Sequence, residues 1–152
     1  MKRVLLLFVV NLVLVLIQTS LFLELFGARF NPNLVLAFAL VLFAYNKTAT
    51  ALLSCLIGGV LIDLSGVGIL GLTPFIFVIL MLILSYARQH LFRSFILKII
   101  ASLVFPFVYS SVINFGNEVD IALAWLSSFT TLIAFLLLYT ISGRILDEAR
   151  SF

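Results

Sequence analysis

Few side chains in this sequence are equipped for chemistry. Asp63 is the only carboxylate inside an apolar segment, and His90 is the only histidine. An acid in apolar surroundings can hold a proton, pair with a cation or accept backbone hydrogens, and an unpartnered charge there costs several kcal/mol. Such a residue faces either a partner or a wet cavity. A plainer reading stands beside this one: Asp63 lies near enough to a polar boundary to be solvated, and only ends its helix before Ser65, Gly66 and Gly68.

The other candidates offer less. His90 sits among Arg88, Gln89 and Arg93 with no second imidazole or thiol near it in sequence, so it reads as a solvated loop residue and no metal ligand set is expected. Glu118 and Asp120 are two apart and read as an acidic turn. Cys55 is the only cysteine and lies in an apolar run, which excludes an intrachain disulfide or a cysteine metal cluster. No Ser, His and Asp set, Walker-type GxxxxGK phosphate loop or paired-carboxylate arrangement is present. A proton or ion path needs several ionisable groups in series, and Asp63 has only the amides Asn11, Gln18 and Asn114 as long polar companions. These absences argue against an enzyme, a pump or a cofactor-binding protein.

The elements that position Asp63 follow from composition. Of 152 residues, 64% are hydrophobic and 10% charged, against roughly 25% charged in a soluble domain. A soluble domain of this size has no way to hide that much apolar surface. The expectation is one integral membrane domain, residues 1–152, all-α, a compact bundle of six transmembrane helices. The formal charge of +3 comes without a basic helix or a run of Lys and Arg, so nucleic acid is not an expected partner. Met1-Lys2-Arg3 and the following apolar run resemble a signal peptide, but the run continues to Leu23 without a small-x-small cleavage pattern, so the first helix is expected to stay attached.

Apolar runs and punctuation predict helices over about 4–23, 32–45, 49–64, 70–87, 95–115 and 121–142. Asn11 and Gln18 are seven apart on one face, which therefore looks inward. Pro32 suits the first turn of the second segment, which is short for a full crossing and fits a tilted or re-entrant piece equally well. Asn46-Lys47-Thr48 matches a glycosylation triplet by chance and reads as a tight connection. In the third segment Ala51, Cys55, Gly59 and Asp63 recur every four residues, forming a narrow stripe against which another helix can lie; Ser54 and Gly58 are small as well. Pro74 falls in the first turn of the fourth segment, where its missing N–H does little harm. Pro106 predicts a kink in the fifth, with Ser102, Tyr109, Ser110 and Ser111 near enough to satisfy the freed backbone. Ser127, Ser128, Thr130 and Thr131 mark a protein-packed face on the sixth, and the tail Arg144 to Phe152 reads as short and charged.

Six crossings put Lys2, Arg3, Lys47, Arg88, Arg93, Lys98, Arg144 and Arg150 on one side and Arg29 alone on the other. Positive residues favour the cytoplasmic side, so both termini are expected there, with Pro32, Asp63 and the acidic loop towards the outer face.

The motifs together resemble a known family. Pro32-Asn33-Leu34, Gly59 with Asp63-Leu64, Ser65-Gly66, Leu70-Gly71 and His90-Leu91-Phe92-Arg93 are similar in order and spacing to MreD, the bacterial rod-shape-determining membrane protein. The likeness runs from Met1 to about Arg93 and weakens after it. It implies a fold similar to the six-helix substrate-binding subunits of energy-coupling-factor transporters. It also implies a non-enzymatic scaffold of cell elongation in the bacterial inner membrane, helping to control peptidoglycan synthesis and rod shape. Its implied partners are MreC directly, and MreB, RodA and a class B penicillin-binding protein in the same complex, with membrane lipid around it. Pro32, Asn33, Gly59, Asp63, Gly66 and Gly71 carry over as positions for fold or partner binding, and no catalytic residue does. The alternative is a small-molecule-binding subunit of a membrane transporter, for which the outer loops Glu24 to Asn33 and Ser65 to Ile69 are short.

Single cysteines placed at residues 3 and 150 in a Cys55→Ser background should both react with a membrane-impermeant maleimide only after the cells are broken. Labelling of one end in intact cells would remove the six-crossing topology.

Overall fold

Long apolar runs leave backbone N–H and C=O groups without solvent, and a helix pairs them within one segment. The computed structural model describes residues 2–21, 24, 32–67, 70–90, 95–113 and 121–150, and every regular element among them is helical. The helices are α1 (Lys2–Leu16), α2 (Leu34–Ala44), α3 (Thr48–Ile62), α4 (Leu72–His90), α5 (Phe95–Ile113) and α6 (Ile121–Arg150). α1 and α3 each pass into a short π-helical turn, Ile17–Leu21 and Asp63–Val67.

Three expectations need correction. The second helix begins at Leu34, not Pro32: Asn33 is its N-cap, and Pro32 stands just before the cap. The sixth does not stop near Ser142 but continues through the charged tail to Arg150. Pro106 lies inside α5 as expected, yet three of the four polar neighbours meant to serve its freed backbone, Ser102, Tyr109 and Ser111, make other bonds. Ser102 donates to Ile99 O, Ser111 donates to Phe107 O, and the Tyr109 hydroxyl pairs with Thr73. Two helical stretches, Thr48–Ser65 and Ile121–Gly143, are long and apolar enough to cross a membrane; Val4–Ser20, Leu34–Ala44, Leu72–Ala87 and Lys98–Ile113 are shorter apolar helices.

α2 is the centre of the bundle. Leu34, Val35, Leu36, Ala37, Ala39, Leu40, Val41 and Phe43 are all buried, so it is apolar on every side, as a helix enclosed by others must be. α1, α3, α5 and α6 all pack on it. Its 11 residues rise only about 16 Å at 1.5 Å each, half of a roughly 30 Å hydrocarbon layer. The tilted or re-entrant piece expected from the sequence is therefore a short strut surrounded by protein.

The outer helices reverse the pattern of a water-soluble protein. On α6 the buried stripe is Ala124, Ser128, Thr131 and Phe135, while Trp125, Phe129, Ile133, Leu137 and Ile141 are exposed. α1 buries Asn11 and exposes Leu5, Leu6, Val9, Val13 and Leu16, and the π turn that follows it buries Gln18. The inward placing of the two amides agrees with their spacing in the sequence.

α2 turns into α3 through a tight cap. Asn46 has φ 63°, its N–H donates to Phe43 O, and the Lys47 N–H donates to Leu42 O. This is the paired closing bond of a Schellman motif, with asparagine in the left-handed position that glycine usually takes. Replacing Asn46 by Val should lower the stability of the solubilised protein by about 1–2 kcal/mol, since a β-branched residue resists that conformation, while Asn46→Gly should stay within a few tenths. Thermal melts followed by circular dichroism would read the difference, and equal melting of the two variants would refute the assignment.

Candidate functional site

The chain's candidate residues gather in two polar clusters at one end of the bundle. The first joins α3 to α4. Gly59 gives room there: a Cβ on it would lie 2.5 Å from Pro74 Cα and 2.6 Å from Pro74 N, so only glycine lets the first turn of α4 rest on α3. The close neighbour of the Ala51, Cys55, Gly59 and Asp63 stripe is this chain's own α4, and all four residues are buried.

One turn beyond Gly59, the π turn carries Asp63, whose Oδ2 accepts the Gly71 N–H at 2.7 Å. Gly71 O in turn accepts from Phe75 N at 3.3 Å, so Gly71 stands at the N-cap of α4. A carboxylate there meets the free amides and the positive end of the helix dipole. Gly71 has φ 89° and open space where a Cβ would stand, so the backbone angle, not crowding, calls for glycine. Asp63 is 3% exposed, which removes the solvated reading, although the residue does end α3. Nearby, Thr73 and Tyr109 join hydroxyls at 3.1 Å, the Tyr109 ring packs on Phe77 at 5.0 Å, and Tyr109 lies within electrostatic reach of Asp63.

The second cluster closes the buried N-terminus of α2. Asn33 Oδ1 accepts from Leu36 N at 3.0 Å, an ordinary N-cap bond. Gln18 Oε1, turned inward by the π turn after α1, accepts from Leu34 N at 3.0 Å. Thr131 Oγ1 of α6 accepts from Asn33 N at 2.9 Å and donates to Ser127 O. Pro32 is buried against this cap and accepts from Leu34 N. Farther along α1, Asn11 accepts from the Ser54 hydroxyl at 3.0 Å and donates to Leu7 O. Gly58 makes that bond possible, because a Cβ there would fall 2.7 Å from Asn11 Oδ1 and onto Val35.

Among the described residues two buried side-chain polar atoms have no hydrogen-bond partner, Asn33 Nδ2 and Asp63 Oδ1, one from each cluster. Among the described residues no group of three or more His, Cys, Asp or Glu is placed to hold a metal ion. Gly66 lies within the π turn after α3, and His90 is the last residue of α4. Arg29, Arg93, Asn114, Glu118 and Asp120 lie outside the described residues.

Sequence reasoning placed Pro32, Asn33, Gly59, Asp63 and Gly71 on motif positions but not the contacts they make, Gly59 against Pro74 and Asn33 with Thr131; for Thr131 the signal was the hydroxyl-rich face of its segment. Comparison with protein-family models, curated proteins and solved structures gives no match.

Gly59→Ala should destabilise the solubilised protein by about 1–3 kcal/mol, because its methyl group meets Pro74 backbone, and Gly59→Leu should do more. Asp63→Leu should cost about 1–3 kcal/mol by leaving Gly71 N unpaired in the interior, whereas Asp63→Asn keeps an oxygen acceptor and should cost less. Melting temperatures would check the order, and an Asp63→Leu protein as stable as the parent would show the bond to be idle.

Proposed function

We propose that the chain is a multi-pass integral membrane bundle of six helices that acts as a non-enzymatic scaffold in the cell-elongation machinery of the bacterial inner membrane. The observation that carries this reading is the reversal of polarity between inside and outside. Buried polar side chains such as Asn11, Gln18, Ser54, Asp63 and Thr131 bond one helical segment to another, while Leu, Ile, Val, Phe and Trp cover the periphery. Water would penalise that surface at about 25 cal/mol per Å², and lipid or partner helices would not. α2 is too short to span alone, but helix ends are tolerated at depth when other helices satisfy them.

The direction of the chain supports the expected topology. Residues 44–50, 86–90 and 95–98 lie at the opposite end of the helices from the Asp63 and Asn33 clusters, and Lys47 and Lys98 are at that basic end. We assign it to the cytoplasm, with both termini. The motif positions spend their bonds inside the chain: Gly59 on Pro74, Asp63 on Gly71, Asn33 on Thr131. They therefore build the scaffold, and its exposed apolar faces are the surface open to a transmembrane partner. By the resemblance of motifs that partner is MreC, through which MreB, RodA and a class B penicillin-binding protein would be reached.

A second reading is favoured by one observation. Asn33 Nδ2 and Asp63 Oδ1, a free donor and a free acceptor buried at the same end, suit a small polar ligand entering from the outer face, as a transporter's binding subunit requires.

Affinity purification of the tagged full chain from its own bacterium, in mild detergent, should recover MreC in near-stoichiometric amount, and depletion of the chain should turn rods into spheres. Recovery of a tightly held polar metabolite without MreC would favour the second reading, and normal rods after depletion would end the first.

A further inference from the structure

The basic end of the bundle, away from both polar clusters, holds a site of a different kind. Past the Asn11–Ser54 bond, α1 and α3 leave an open groove of about 740 Å³ between them, its floor formed by α2. Leu7, Phe38, Leu42 and Leu53 line it with hydrocarbon, and Lys47 and Thr50 line it with the one charge and a hydroxyl. Phe38 and Leu42 are only half-buried, on a helix otherwise closed off by its neighbours. None of the lining residues is acidic, and Val4, on the groove wall, directly follows Lys2 and Arg3 in sequence.

We propose that this groove holds an anionic glycerophospholipid of the cytoplasmic leaflet, one acyl chain lying against Phe38, Leu42 and Leu53 and the phosphate meeting Lys47 and Thr50. The inference rests on the membrane reading above. Charge complementarity selects the occupant. A helix from a second copy or an apolar partner would fill the walls and leave the ammonium group without an anion, whereas an anionic lipid satisfies both parts of the site. The volume falls within the roughly 300–1,000 Å³ of small-molecule sites, room for one acyl chain and the phosphate while the rest of the lipid stays in the bilayer. The Schellman turn fixes Lys47 as the residue before α3, so its position relative to the groove is set by backbone geometry.

The test is native mass spectrometry of the delipidated full chain in detergent, offered equal amounts of phosphatidylglycerol or phosphatidylcholine with identical acyl chains. Phosphatidylglycerol adducts should be several-fold more abundant. Lys47→Gln should cut them by about fivefold, the equivalent of the roughly 1 kcal/mol contributed by one basic residue at an anionic surface. Lys47→Arg should retain them, Arg150→Gln should change nothing, and Ala49→Trp, which fills the groove from its wall, should reduce both lipids. Equal binding of the two lipids, or an unchanged preference in Lys47→Gln, would overturn the proposal while leaving the membrane reading intact. So would an Ala49→Trp protein that loses a dimer but keeps its lipid, because a second copy would then be the occupant. A chain that stays monodisperse without detergent would overturn the membrane reading and the groove proposal together.

Discussion

A helix that ends inside a protein leaves four N–H groups at its start and four C=O groups at its finish without intrahelical partners. α2 is such a helix. At about 1–3 kcal/mol for each buried group left unpaired, one bare end would cancel most of the roughly 5–15 kcal/mol by which a domain is stable. The packing of the rest of the chain serves this constraint. Gln18 comes from the turn after α1, Asn33 from the cap, and Thr131 from the middle of α6, all to the N-terminal end. At the other end the Schellman turn closes two carbonyls, and Lys98 Nζ of α5 donates to Ala44 O at 3.3 Å, a cation at the negative end of a helix dipole. Tyr45 stacks on Tyr139 and donates its hydroxyl to Tyr139 O, which ties the same end to α6.

The two π turns belong to this arrangement. A π turn inserts a residue into the helical register and rotates the chain beyond it. One begins at Ile17, just before Gln18, and the other at Asp63 itself. Both stand where a polar side chain must leave its own helix and reach the backbone at the start of another, Leu34 N in one case and Gly71 N in the other. Small residues supply the proximity these bonds need. Gly58 admits Asn11 and Val35, and Gly59 admits Pro74, so two adjacent glycines on α3 make room for three neighbouring helices.

This bonding bears on function. Among the described residues most buried polar side chains are bonded within the bundle, and what it offers outside is hydrocarbon. That combination suits a scaffold that presents faces to other helices. The unpaired Asn33 Nδ2 and Asp63 Oδ1 depart from that economy, and they are why a ligand-binding reading stands beside the scaffold.

Much of this was legible in residue order. Helices could be bounded because apolar runs and their Gly, Pro, Asn and charged interruptions are local signals. The inward face of Asn11 and Gln18 followed from a seven-residue spacing, and the close helix approach at Gly58 and Gly59 from their small size and the four-residue stripe. Asn33, not Pro32, opens α2 through a local N-cap bond to Leu36 N, but that its own N–H meets Thr131, 98 positions away, no local pattern shows. The role of Asp63 was likewise beyond the sequence, since an acid at a helix end reads the same whether it meets water or the amide of Gly71. Sequence by itself determined that the chain is helical, apolar and asymmetric in charge, because those are sums over neighbouring residues. Only the tertiary structure decided which helix is central and which polar atoms meet, because a hydrogen bond between helices depends on rotation and depth that no local pattern encodes.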